Sequence, residues 1–269
     1  MGALRTVLEI ARQTAALQLQ NRLFRLLPLA MLAAAALVFL VGMDPPHSLS
    51  GRKLFAVVSW WLLANVLLPW TTMYFGVQAV HGDVEDRTFQ YLFLRPVPRW
   101  AIYLGKCLAV AALSFAMHAF GIALVFFAGS LHGDMWADGL EWNLFWVLIG
   151  ACSLLSIAYA MVAGFFGAWF RRPLVWSAAF IVFGQMFLAN LPAKAGIRHA
   201  TIADPVRRFV FDRVDLGDNL QRALWPAERN FKAELIGEPL FDLSVFVVVA
   251  LALGLLAYTR SEYDSRERE

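Results

Sequence analysis

At 269 residues, 60% hydrophobic and only 16% charged, with a mean hydropathy of +0.60, the chain is too apolar for one water-soluble domain. Its net charge of +3 is scattered over several short stretches and forms no aromatic-interleaved basic strip, which argues against a nucleic-acid-binding module. The two cysteines, Cys107 and Cys152, both fall in apolar runs and offer neither a disulfide framework nor zinc-ligand spacing.

The charges are bunched, and six runs between the bunches approach or exceed the roughly 20 residues a spanning helix needs. They extend from Leu26 to Met43, Leu54 to Val80, Cys107 to Leu131, Trp142 to Phe170, Pro173 to Pro192 and about Pro239 to Thr259. The predicted fold is an all-α polytopic membrane protein with six transmembrane helices. It has an interfacial segment at 1–25, a transmembrane domain at 26–259 and a charged tail at 260–269.

In chain order, Leu4, Val7, Leu8, Ala11, Ala15, Leu19 and Leu23 recur at spacings of three and four, which predicts an amphipathic helix lying along the inner leaflet. The first span follows and has no small-x-small cleavage site, so it is expected to be retained. The second span carries Trp60 and Trp61, expected as interface anchors, and Asn65, a polar group suited to interhelical hydrogen bonding or to a pathway. Pro69 is expected to disturb that helix, with Thr71 and Thr72 able to compensate the freed carbonyl.

Between the second and third spans lies the most polar stretch of the first half, residues 81–100. Asp83 can cap a helix whose first turn holds Glu85 and Asp86, Arg95 sits at its end, and Phe89, Leu92 and Phe93 form an apolar face. Pro96 and Pro98 stop that helix, while Arg99 and Trp100 mark the membrane boundary. His81 and Asp86 also form an H-x-x-x-x-D pair, the spacing of membrane acyltransferases, so a histidine base oriented by an aspartate is an alternative reading.

His118 sits in mid-span, where a titratable group suggests either function or a neutral interhelical hydrogen bond. His132, Asp134, Asp138 and Glu141 share a short loop, but their spacing matches no calcium loop. Ala160, Gly164 and Gly167 form a small-residue strip for close helix contact. Gln185 and Asn190 end the fifth span and could line a path or bond a neighbour.

Residues 193–238 read as two short amphipathic helices on the outer surface, the first with Asp204 as N-cap, Pro205 at the first helical position and Val206, Phe209 and Val210 as its stripe. Thirteen of the 23 Lys and Arg fall in the segments that six spans place on the side of both termini. The positive-inside rule therefore puts both termini in the cytoplasm. HExxH, GxSxG, CxxC, GxGxxG and Walker A patterns are missing from the sequence, so no catalytic, cofactor or metal residue is assigned.

The run E-D-R-T-F-Q-Y-L-F-L-R-P-V-P-R, followed by Gly105-Lys106, resembles the signature of permease subunits of type-2 ATP-binding-cassette exporters. Thr88, Leu92, Pro96, Arg99, Gly105 and Lys106 match in place, and Arg87 stands where that family usually has glycine. Asp204-Pro205-Val206 is similar to a motif of the copper-site-maturation permeases. The resemblance implies a coupling helix from Glu85 to Arg95, with Arg99 beside it. It implies two separate ATPase subunits that hold ATP and magnesium, a second permease copy and location in the cell inner membrane. The pathway candidates are Asn65, His118, Gln185 and Asn190. A non-transporting relative that works mechanically on an outer protein would share all of these features.

Overall fold

Lipid offers no hydrogen bonds, so an apolar run inside it must satisfy its own backbone, and the helix is the solution. A computed structural model describes residues 3–43, 50–85, 97–131, 141–188, 201–214, 220, 224 and 238–260. The elements are α1 (Ala3–Gln20), α2 (Arg22–Met43), α3 (Gly51–Val57), α4 (Leu68–Glu85), α5 (Arg99–Ser130), α6 (Trp142–Trp169), α7 (Pro173–Ala179), α8 (Ala203–Arg213) and α9 (Pro239–Arg260). Two π-helical segments interrupt this order: π1 (Val58–Leu67) joins α3 to α4, and π2 (Phe180–Phe187) continues α7. No strand occurs among the described residues.

Among the described residues five stretches are long and apolar enough to cross a bilayer: Arg22–Met43, Gly51–Gly82, Arg99–Ser130, Trp142–Trp169 and Pro239–Arg260. The expected fifth run is described only as far as residue 188. Its described helical part, α7 with π2, has seven and eight residues, below the roughly 20 needed to cross the hydrocarbon alone.

Contacts between the long helices fix their directions. Gly121 of α5 meets Met31 of α2 and Leu63 of π1, Gly76 of α4 meets Ala163 of α6, and Gly254 of α9 meets Tyr103 of α5. Arg99, at the start of α5, lies against Thr259, at the end of α9. Helices α2, α5 and α7–π2 therefore run away from the end that holds Arg99, and α3–α4, α6 and α9 run back to it. We call that end the near end; α1 and the last residues of α9 share it.

Helix α1 starts at the near end and packs along α5 toward the middle of the bundle. Val7 and Ile10 sit over Gly105 of α5, while Gln18 and Asn21 hydrogen-bond Phe75 O and Gln78 of α4. It buries Val7, Thr14 and Gln18 and leaves Leu4, Leu8 and Leu19 of its apolar stripe exposed. Arg5, Glu9, Arg12 and Gln13 are exposed as well, so α1 meets the bundle along the narrow line of Val7, Thr14 and Gln18.

Small residues set the closest approaches. A Cβ on Gly76 would overlap that of Ala163, one on Gly164 would press on Cys107 and Tyr103, and one on Gly167 would sit 3.0 Å from Val80 Cβ. The strip expected at Ala160, Gly164 and Gly167 is thus where α6 receives α4 and α5. Phe55, Trp60, Leu63, Phe126 and Tyr159 fill the centre. Trp60 is 1% exposed, so the expected interface anchor is a core residue.

At the far end α8 does not rest on the surface. Ala203 through Val210 are all buried, and Phe209 reaches Gly150, well inside α6. Gln185 of π2 meets the start of α8 at this end. The second of the two expected outer helices, the loop carrying His132, Asp134 and Asp138, and the tail lie outside the described residues.

Candidate functional site

The near end gathers three side chains that the sequence places far apart in role. His81 lies on the last turns of α4, and Arg99 and Lys106 lie on the first turns of α5. Each reaches the backbone carbonyl of a helix that descends to this end. His81 Nδ1 donates to Gly167 O of α6 at 3.2 Å, Arg99 Nη1 to Thr259 O of α9 at 2.9 Å, and Lys106 Nζ to Ala79 O of α4 at 2.5 Å. Gly167 and Thr259 sit in last helical turns, whose carbonyls have no intrahelical donor, so these bonds satisfy otherwise orphaned groups. A basic side chain there also suits the negative end of the helix dipole.

The local backbone makes these reaches possible. Pro98 stands at the N-cap of α5 with extended geometry, so α5 starts on Arg99 and aims its first turn across the bundle. Gly105 has no Cβ where one would lie 2.8 Å from Val7 O, which lets α1 settle against α5. The neighbouring Lys106, 6% exposed, points inward to α4 although its stem could carry the charge to water. The Gly-Lys pair therefore joins α5 to α1 on one side and to α4 on the other.

Among the expected coupling residues, Glu85 is the last residue of α4 and Arg99 the first of α5. Asp86, Arg87, Thr88, Phe89, Leu92, Phe93 and Arg95 lie outside the described residues. The same holds for the histidine–aspartate pair's second member. Its first member, His81, is 7% exposed and directs Nδ1 to a backbone carbonyl, a geometry that holds helices together.

A second polar cluster lies midway along the bundle, between α4, α5 and α6. Thr72 and Ser114 share a short hydroxyl pair, Ser156 donates to Ser114 Oγ at 3.5 Å, and His118 Nδ1–H donates to Ser114 O at 2.8 Å. Thr71 Oγ1 donates to Leu67 O at 2.7 Å and stands 3.4 Å from His118 Nε2. His118 is fully buried and spends its Nδ1–H on its own helix, while Nε2 faces Thr71 of α4. Thr71 bonds back one turn and does not serve the carbonyl that Pro69 frees. A small cleft beside the cluster is lined by Gln18, Phe24, Thr72, Phe75, Ser114 and His118 among others. Gln18 Oε1 has no hydrogen-bond partner among the described residues.

The other pathway candidates do not join His118. Asn65 Nδ2 donates to Trp60 O inside π1 at 2.9 Å, so it is not the interhelical group expected. Gln185 belongs to the far end, where its Oε1 accepts from the backbone N–H of Ile202 and Ala203 at 3.1 and 3.3 Å. Asn190 lies outside the described residues.

Gln185 thereby does much of the capping assigned to Asp204. Helix α8 starts at Ala203, Thr201 Oγ1 accepts from Asp204 N, and the Asp204 carboxylate pairs with Arg208 at 3.1 Å. Arg208 also binds Asp242 of α9 at 2.8 Å. Asp242, near the start of the last apolar run, is thus part of a half-buried clasp between α8 and α9. Across the same end, Arg52 pairs with Glu141 at 3.0 Å. Among the described residues no group of three His, Cys, Asp or Glu side chains could hold a metal ion.

The sequence could not reveal the carbonyl contacts of His81 and Lys106 or the Thr72–Ser114–Ser156 chain. Hydroxyls and carbonyls carry no pattern, and their partners are 27 to 86 residues away. The signal that did exist was the pairing of Gly105 with Lys106 at a helix start. A family model described as ABC-2 family transporter protein matches residues 3–263. No curated protein matches the chain.

Proposed function

Given that the chain belongs to the ABC-2 family of transporter membrane proteins, we propose that it pairs with a second permease copy and with two ATPase subunits to move a substrate outward across the cell inner membrane. It is a multi-pass permease of an ABC transporter, and ATP and magnesium are held on the ATPase chains. Residues 85–95 form the cytoplasmic coupling helix, with the near end facing the cytoplasm and six crossings in all, the short α7–π2 included.

One observation supports this reading: α4 ends and α5 begins, on either side of the signature residues, at the end of the bundle shared by α1 and the end of α9. An element pushed there acts on the first turns of α5 and the last turns of α4. The thirteen basic residues of the inner segments supply the orientation.

The test begins with purification of the tagged chain from its native host, which should bring an ATPase with it. Phe89→Asp combined with Phe93→Asp should abolish stimulated hydrolysis and leave membrane insertion intact, because two carboxylates replace the apolar docking face. Unchanged hydrolysis would remove the coupling assignment. Flux into proteoliposomes then separates transport from mechanical work on an outer protein.

A further inference from the structure

We propose that His81, Arg99 and Lys106 are positioning residues that lock the near ends of α6, α9 and α4 to the two flanks of residues 86–96, so that displacement of this segment moves three spans together. The inference rests on the reading of residues 85–95 as the coupling helix and assigns how its motion enters the membrane. On one flank, His81 belongs to the helix that runs to Glu85 and holds Gly167 O. On the other, Arg99 follows Val97 and Pro98 directly and holds Thr259 O, and Lys106 ties the same helix back to Ala79 O.

The direction of these side chains is the informative point. A Lys or Arg at a membrane boundary gains most by extending its head to water or phosphate. Lys106 turns instead toward the bundle, where a cation is tolerated only with directed hydrogen bonds. Hydrogen bonds to carbonyls are also directional, so they fix where a helix end sits, which apolar packing alone does less sharply. Gly167, opposite Val80, keeps α4 close enough to α6 for the histidine to reach.

Each pin serves a different helix, and this gives the test its specificity. The chain in complex with its co-purified ATPase, in lipid nanodiscs, is followed by hydrogen exchange with and without ATP plus vanadate. Exchange reports local opening of helix ends. In the wild type the trapped nucleotide should change exchange at the near ends of α4, α6 and α9.

His81→Leu should lose the change in α6 alone, Arg99→Leu in α9 alone and Lys106→Met in α4 alone. His81→Asn should restore α6, since its amide can donate from a similar position although it cannot act as a base; Arg99→Lys should restore α9. A general loss of structure would not follow this one-to-one pattern. If Lys106→Met does not fold, the His81 and Arg99 arms decide.

The proposal is overturned if all three helix ends still respond in the His81→Leu and Arg99→Leu proteins, or if each substitution weakens all three alike. A wild-type complex that hydrolyses ATP but moves none of the three ends overturns the pins and leaves the coupling helix standing. A wild-type chain that brings no ATPase overturns both.

Discussion

Arg208 shows how one residue can bind two helices at a site where its charge is expensive. Its side chain is 3% exposed and lies between Asp204 on its own helix and Asp242 on α9. Removing one partner of a buried ion pair leaves uncompensated charge, whereas replacing all partners with apolar groups is often close to neutral. Arg208→Met should therefore lower stability by about 3–5 kcal/mol, read by denaturation in mixed micelles. Adding Asp204→Leu and Asp242→Leu should recover most of the loss. If the single and triple variants are equally unstable, the clasp is not what holds α8 to α9. The sequence showed Asp204-Pro205 as a helix start, which is a local signal. It could not show that Asp204 would be claimed by an arginine four residues on and by the approach of α9, because that choice depends on burial.

At the scale of elements, contact between α4 and α6 depends on residues with almost nothing to project. Gly76 faces Ala163, and any larger side chain must drive the helices apart or unseat Val110. Gly76→Val should destabilise the bundle by about 1–3 kcal/mol, measured by the same denaturation, while Gly82→Ala, where a Cβ meets open space, should be close to silent. Similar losses for both would mean that helix propensity, not packing, sets the cost. The strip at Ala160, Gly164 and Gly167 was legible because small residues at helical spacing have a period; the facing surface of Tyr103, Cys107 and Val80 was not, because it is assembled from two other helices. The amphipathic pattern of α1 was also legible. Which of its residues would meet protein was not: Val7, Thr14 and Gln18 are buried, while Leu4 and Leu8 of the same stripe stay exposed.

For the whole molecule, the end shared by α1 and the last turn of α9 makes a topology that labelling can read. Leu4→Cys and Arg260→Cys should react with an impermeant maleimide only in opened cells, and Arg213→Cys already in intact ones. All three positions are exposed, and the native Cys107 and Cys152 are buried. Reaction of position 4 or 260 in intact cells would reverse the orientation. The same architecture places the segment between α4 and α5 at the end where His81, Arg99 and Lys106 tie three descending helices.

By itself, the sequence determined that the chain is helical and membrane-spanning, where its long apolar runs begin and end, and which polar stretch carries the family signature. These follow from the cost of leaving backbone groups unsatisfied in lipid, a cost each segment meets alone. The tertiary structure decided what depends on neighbours: that Trp60 is core, that Asn65 and Gln185 are committed elsewhere, that α8 is buried, and that His81, Arg99 and Lys106 end on the carbonyls of three other elements. A hydrogen bond to a backbone carbonyl is indifferent to the residue that carries it, so no residue pattern can announce its partner before the helices are packed.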